Sequence, residues 1–119
     1  MKQRDPVTGV EEGVLDNTRA GDRRPKVFWT NSATEMWEKA AALEAMTPDG
    51  SQDRPLPPNV RLYAFAGTQH DPARFPSTVT NGQLQDNPTD YLWAMRALLV
   101  SLETWVRDDV APPPSRYPR

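Results

Sequence analysis

Two largely apolar runs are Lys26-Val27-Phe28-Trp29-Thr30, with consecutive apolar residues at 27–29, and Asn59-Val60-Arg61-Leu62-Tyr63-Ala64-Phe65-Ala66, in which only Arg61 interrupts residues 60–66. Runs of this kind indicate strands that are covered on both faces, as in a parallel sheet. A polar loop follows each run; the first carries Glu35 and the second carries His70, the only histidine of the chain. Because an open parallel sheet presents its functional side chains beyond the carboxyl ends of its strands, we expect Glu35 and His70 to project from the same edge.

Two further segments have helical periodicity. The first covers residues 35–46, with Ser32 or Thr34 as its N-cap. The second is predicted to start with Asn87 as cap and Pro88 in the first position, and to run for about twenty residues against the sheet. Its apolar positions recur at steps of three and four: Leu92, Met95, Leu98, Leu99, Leu102, Trp105 and Val106. The sequence therefore predicts an α/β fold of two parallel strands flanked by helices, with a long C-terminal helix.

The composition along the chain divides it into three segments. Residues 1–24 are polar and are predicted to be a loop or a short helix around Glu11 to Arg19. Residues 25–111 hold the α/β elements, and residues 112–119 form a proline-rich extended tail. The tryptophans at positions 29, 37, 93 and 105 fall on strand or helix positions and are expected in the core.

Charge and residue types exclude several kinds of function. The 119 residues carry 14 basic and 16 acidic side chains, so no basic field is present to attract nucleic acid or an anionic membrane. The absence of cysteine and the single histidine exclude cysteine and multi-histidine metal sites, and we expect no cofactor. No secretory signal and no apolar run of about 20 residues occurs, so cytoplasmic is the default location unless a signal lies outside these residues. A small neutral or mixed-charge substrate fits this balance.

Glu35 and His70 have the order of the last two members of a Ser…Asp/Glu…His triad. A serine hydroxyl needs an imidazole to take its proton and a carboxylate to orient that imidazole. Spacing alone leaves an alternative open, in which His70 is a solvated loop residue and Glu35 is a helix-start acid favoured by the helix dipole. No G-x-S-x-G turn occurs in the chain. Ser32 also follows a strand, but Thr30 and Thr34 stand where a nucleophile turn needs small residues, so we interpret Ser32 as a cap.

The amino-acid sequences of three segments are more specific for a protein family than the spacing of Glu35 and His70. They are residues 25–37 (PKVFWTNSATEMW), residues 59–70 (NVRLYAFAGTQH), and residues 96–100 (RALLV) with residues 112–118 (PPPSRYP). These segments resemble a family of uncharacterised α/β-hydrolase domain proteins, with the motifs T-N-S-x-T-E-Y-W, F-A-G-T-Q-H and P-P-P-S-R-Y-P. The resemblance covers residues 25 to 119. It differs at Met36, where the family tends to have tyrosine, and at Asp71, where glycine is usual.

The resemblance implies Glu35 as triad acid and His70 as base, with the nucleophile upstream in a G-x-S-Q-[ST]-G turn that this chain lacks. The chain would then be the C-terminal portion of a serine hydrolase acting on a small ester-like molecule, and inactive alone. Trp37 is a candidate for the substrate pocket. Two other interpretations stay open: an interaction module that complements a separate chain, and a non-functional remnant. An open sheet edge would also promote self-association.

Overall fold

The structure is a computed structural model that describes residues 2–13, 15–16, 24–80 and 82–118. Its elements, in chain order, are β1 (Gln3–Arg4), β2 (Glu11–Glu12), β3 (Val27–Ser32), α1 (Ala33–Glu38), a 3-10 helix (Ala41–Glu44), β4 (Val60–Phe65) and α2 (Leu92–Asp108).

A parallel pair of strands forms the centre of the fold. β3 and β4 run side by side, from Val27 opposite Val60 to Ser32 opposite Phe65. Helices flank this pair, and the longest of them, α2, is the last element. The predicted α/β fold class is therefore confirmed.

The two outer edges of this sheet differ. The C-terminal tail runs beside β4, where the Ala64 N–H donates to the Arg116 carbonyl at 2.7 Å and the Arg116 N–H donates to the Leu62 carbonyl at 2.9 Å. The Tyr63 hydroxyl adds a bond to the Pro113 carbonyl at 2.7 Å. No strand among the described residues pairs with the second edge of β3. Among the described residues, β4 thus has a neighbour on both edges, whereas β3 has one only on the side of β4.

Helix α2 contacts the sheet at its two ends. Near its end, the buried Trp105 ring lies 5.8 Å from Phe28, and Phe28 lies 5.1 Å from Tyr63. At its start, Tyr91 stacks on Phe65 at 5.1 Å. Between these contacts, a groove of about 350 Å³ separates the helix from β3.

This arrangement corrects the expectation that α2 packs on the sheet along its length. Trp105 is the buried member of its apolar stripe, whereas Leu92, Leu99 and Val106 are exposed. Val27 to Thr30 in β3 are correspondingly half-buried, while Val60 and Leu62 in β4 are fully buried. Double coverage is therefore wrong for most of β3, because the groove borders Phe28 and Thr30 while a second cavity borders Trp29. In β4 it holds for Val60, Leu62 and Tyr63, which are buried, whereas the other residues of the strand are half-buried. The expectation that all four tryptophans lie in the core is also wrong, because Trp37 and Trp93 are exposed and Trp29 is half-buried.

The start of α2 also differs from the prediction. The helix begins at Leu92, whose N–H bonds to the Asp90 carboxylate at 2.8 Å. Asn87 caps no helix; its amide nitrogen donates to the Gly67 carbonyl at 2.7 Å and its amide oxygen accepts from Thr89 N–H at 2.9 Å. The long-range bond to Gly67 holds the Asn87 side chain against the loop that follows β4.

The predicted helix over residues 35–46 is broken. α1 begins earlier, at Ala33, and ends at Glu38; Ala40 has a left-handed backbone with φ 57°, and a 3-10 helix follows. The break turns Glu44 back towards the sheet, where its carboxylate accepts a bond from the Asn31 amide at 2.8 Å. A continuous helix is replaced here because a tertiary hydrogen bond competes with local periodicity.

The N-terminal segment contains a short hairpin. β1 and β2 pair antiparallel, with Arg4 opposite Glu11. Asp5 begins the turn by accepting from the Val7 and Thr8 N–H groups at 2.7 and 3.1 Å, and Gly9 provides a positive φ of 72°. The short-helix alternative is therefore wrong at Glu11–Glu12; most of the remaining predicted helix lies outside the described residues. The domain boundaries at residues 24 and 111 stay predictions.

Within the described ranges, no helix combines the length and the apolarity that a membrane crossing requires.

Candidate active site

The start of α1 and the loop after β4 meet at the carboxyl edge of the parallel pair. β3 ends at Ser32 and β4 at Phe65, which are register partners. The Ala33 N–H donates to the Thr68 carbonyl at 3.2 Å, and the Thr68 hydroxyl donates to the Phe65 carbonyl at 2.6 Å. These bonds join the two segments that carry the candidate acid and base.

Glu35 is held by a capping box at the start of α1. The Ser32 N–H donates to Glu35 Oε2 at 2.7 Å, and the Ser32 hydroxyl donates to the same oxygen. The Thr34 N–H in turn donates to Ser32 Oγ at 3.2 Å. Of the two residues predicted as the N-cap, Ser32 is therefore the cap and Thr34 is not. The S-x-x-E spacing from Ser32 to Glu35 is itself a capping-box signal in the sequence.

His70 contacts the other oxygen of the same carboxylate. Its Nδ1 bonds to Glu35 Oε1, while Ser32 bonds to Oε2. The His70 side chain is 69% exposed and that of Glu35 is 21% exposed. The structure thus brings together the two residues that the sequence singled out, and it leaves Nε2 as the ring nitrogen available to a second partner.

Hydrogen bonds keep Glu35 ionised. Burial raises the pKa of this carboxyl, but the bonds from Ser32 and His70 outweigh burial and lower the pKa to about 2. An ionised carboxylate can only accept hydrogen bonds. Nδ1 of His70 must therefore carry the proton, which is the tautomer that an acid–base pair needs beside a nucleophile.

Ser32 does not have the geometry of a nucleophile. It is 3% exposed, and its hydroxyl bonds to the acid, Glu35. A serine nucleophile must instead bond to the imidazole that takes its proton.

Trp37 lies apart from the pair. Its side chain is 75% exposed and borders a cavity of about 390 Å³, together with Phe65 and Tyr117. Neither Glu35 nor His70 lines that cavity. A substrate-binding role for Trp37 stays a prediction.

A second cavity, of about 580 Å³, has Glu35 in its wall, together with Trp29, Asn31, Lys39 and Glu44. Burial raises the pKa of Glu44, and the hydrogen bond from Asn31 opposes that rise. The sequence analysis missed Asn31 and Glu44, because no local pattern links a strand residue to a helix residue thirteen positions on. Among the described residues, no group of three or more histidine, aspartate and glutamate side chains could hold a metal ion.

A family model described as an alpha/beta hydrolase domain matches residues 2–118. The similarity therefore includes the N-terminal hairpin as well as the segments from residue 25 onward. No curated protein and no solved structure matches the chain.

Proposed function

Since the chain belongs to the alpha/beta hydrolase domain family, we propose that Glu35 and His70 are the acid and the base of a serine-hydrolase triad. The contact between Glu35 Oε1 and His70 Nδ1 carries this proposal. It lies at the carboxyl edge of two parallel strands, where an open α/β sheet presents its functional groups. The 119 residues hold no G-x-S-x-G turn. The nucleophile is therefore assigned to a segment outside them, in the same polypeptide or in a separate one.

The proposed reaction is hydrolysis of a carboxylic ester. The serine Oγ attacks the ester carbonyl while His70 Nε2 takes the serine proton, and His70 then gives that proton to the leaving alcohol. A water molecule attacks the acyl-serine in the same way, which returns the serine and releases the acid. Throughout, the ionised Glu35 bonds to Nδ1–H and stabilises the imidazolium that forms on His70.

A small substrate without strong negative charge suits this site. The formal net charge of −2 gives no field that would attract an anionic molecule. The exposure of His70 leaves the imidazole open to a nucleophile and an ester brought by another segment.

A second candidate is a complementing module, which supplies acid and base to a chain that bears the nucleophile. The second edge of β3, which no described strand pairs with, favours it, since an unpaired strand edge is a template for pairing with another chain. The groove between β3 and α2 adds apolar surface beside that edge, including Phe28, Met95 and Leu99. Both candidates assign the same roles to Glu35 and His70 and differ in where the serine comes from.

The test joins this chain to a polypeptide that carries a G-x-S-x-G turn and is encoded upstream of residue 1 or in a neighbouring gene. The combined protein should hydrolyse short p-nitrophenyl esters. His70→Ala should lower kcat by about 10⁶-fold and Glu35→Gln by about 10⁴-fold, as in other triads.

Glu38→Gln is the matched control, because Glu38 ends the same helix with an exposed side chain. It should keep nearly full activity. Full activity in both His70→Ala and Glu35→Gln would remove the proposed roles. Activity only after mixing two separately purified chains would favour the complementing module.

A further inference from the structure

The loop that carries His70 lies outside strands and helices, and side chains from residues 87–91 bond to it. The Asn87 amide donates to the Gly67 carbonyl at 2.7 Å, where the loop begins. The Asn87 N–H donates to the Gln69 side-chain oxygen at 2.9 Å. The Tyr91 hydroxyl donates to the carbonyl of His70 itself.

Gln69 extends this bonding to the far side of His70. While its oxygen accepts from Asn87, its amide nitrogen donates to the Asp71 carbonyl at 2.6 Å. The carbonyls of Gly67, His70 and Asp71 thus each accept a side-chain hydrogen bond. The backbone on both sides of His70 is restrained, although the imidazole itself is mostly exposed.

Tyr91 is in turn fixed to the two largest elements. Its ring stacks on Phe65, the last residue of β4, at 5.1 Å and an interplanar angle of 21°. Its carbonyl accepts the bond from the Met95 N–H at 3.0 Å, in the first turn of α2. The Tyr91 hydroxyl therefore couples the His70 backbone to the sheet and to the long helix.

We propose that Tyr91, aided by Asn87, is a positioning residue that sets the His70 backbone so that the imidazole meets Glu35 through Nδ1. The inference rests on the proposed function, in which His70 is the base. An exposed histidine on a loop can adopt many rotamers and backbone conformations. A 1 Å misplacement of a catalytic group greatly lowers the reaction rate. Without the phenol bond, the loop keeps the contact with Glu35 for a smaller fraction of the time.

The test uses the 119-residue chain and the ring signals of its single histidine. Nitrogen-15 chemical shifts at a pH where the imidazole is neutral give the ratio of the Nδ1–H to the Nε2–H tautomer. Tyr91→Phe removes the hydroxyl and keeps the ring that stacks on Phe65. Tyr63→Phe is the matched control, because it removes another phenol that donates to a backbone carbonyl, that of Pro113.

Tyr91→Phe should lower the Nδ1–H to Nε2–H ratio by roughly two- to tenfold, the effect of losing one ordinary hydrogen bond. Tyr63→Phe should leave the ratio unchanged even where it lowers stability. Asn87→Ala, which keeps the Tyr91 ring in place, should shift the ratio in the same direction as Tyr91→Phe. An unchanged ratio in Tyr91→Phe and Asn87→Ala would overturn the inference.

Two outcomes separate this inference from the proposed function. If the unaltered chain has no preference for the Nδ1–H tautomer, the acid–base pairing itself fails. If it has that preference and Tyr91→Phe keeps it, only the positioning role fails. Unfolding of Tyr91→Phe while Tyr63→Phe stays folded would also contradict the inference, because Tyr91 would then support the fold as a whole and not His70 in particular.

Discussion

Replacing Glu35 with glutamine should destabilise the chain at neutral pH, and this loss should disappear in acid. The carboxylate accepts from the Ser32 N–H, the Ser32 hydroxyl and His70 Nδ1. Glutamine keeps the size of the side chain but offers only one oxygen acceptor and no charge. In Glu35→Gln the charged acceptor that these donors share is lost, and an amide that turns its nitrogen to His70 can no longer accept from Nδ1–H.

The lowered pKa of Glu35 sets the size of the effect. A change from 4.5 to about 2 corresponds to a ceiling of about 3 kcal/mol, at about 1.4 kcal/mol per pKa unit. Because His70 is 69% exposed, water screens its part of the interaction. We expect a loss of about 2 kcal/mol at pH 7, since hydrogen bonds to charged groups contribute about 1.5–3 kcal/mol.

The pH dependence follows from the direction of the shift. The pKa of Glu35 is lower in the folded chain, so the unfolded chain binds more protons between the two pKa values. The stabilisation is complete above the unfolded pKa of 4.5, falls as the pH drops, and is lost below about 2. The difference in the free energy of unfolding between the unaltered chain and Glu35→Gln should fall with pH in the same way.

Urea unfolding measures this difference, with tryptophan fluorescence reporting on the buried Trp105. The two proteins are compared at pH 7, 4 and 2.5 at low protein concentration. Glu38→Gln is the control and should change the free energy of unfolding by less than about 0.5 kcal/mol at pH 7. Equal stabilities of the unaltered chain and Glu35→Gln at pH 7, or a difference that stays constant down to pH 2.5, would refute the role of these hydrogen bonds.

Three other outcomes are expected. The 119-residue chain alone should not hydrolyse p-nitrophenyl acetate above the buffer rate, because its Ser32 hydroxyl bonds to the acid; turnover that Ser32→Ala abolishes would contradict this. Ser32→Ala should lower the free energy of unfolding by about 1 kcal/mol or more, the usual cost of losing an N-cap, and Thr34→Ala should lower it by less. If urea unfolding shows the larger loss in Thr34→Ala, Ser32 is not the cap. Sedimentation should show concentration-dependent self-association that Leu99→Lys reduces, because Leu99 lines the groove beside β3. Val7→Lys should not reduce it, because Val7 lies in the hairpin turn. A monomer at every concentration would contradict an interface at the groove.

The sequence alone was sufficient for the central strand pair. The apolar residues in 27–29 and 60–66, interrupted only by Arg61, indicate two strands of a parallel sheet, and the polar loops that follow place Glu35 and His70 at one edge of it. The register and the contact between Glu35 and His70 agree with that expectation. Such features are predictable because they depend on local periodicity and on the direction of two strands.

Two further signals in the sequence predict local structure. The S-x-x-E spacing from Ser32 to Glu35 is a capping box, and it places the start of α1 at Ala33. The stretch from Asp5 to Gly9 has the residues of a turn, and a hairpin forms there. Both are local, so residue types at fixed offsets are enough to find them.

Only the tertiary structure decided which partners the polar side chains take and how much of α2 is covered. Asn87 has the residue type of a helix cap, yet its amide bonds to Gly67, twenty positions away. Ala40 interrupts a helical pattern, and the chain then turns Glu44 towards Asn31. The apolar stripe of α2 predicts a buried face, but Trp105 is its buried member, whereas Leu92, Leu99 and Val106 are exposed. In each case a local preference worth about 1 kcal/mol or less competes with contacts between distant residues, and such contacts exist only once the chain has folded.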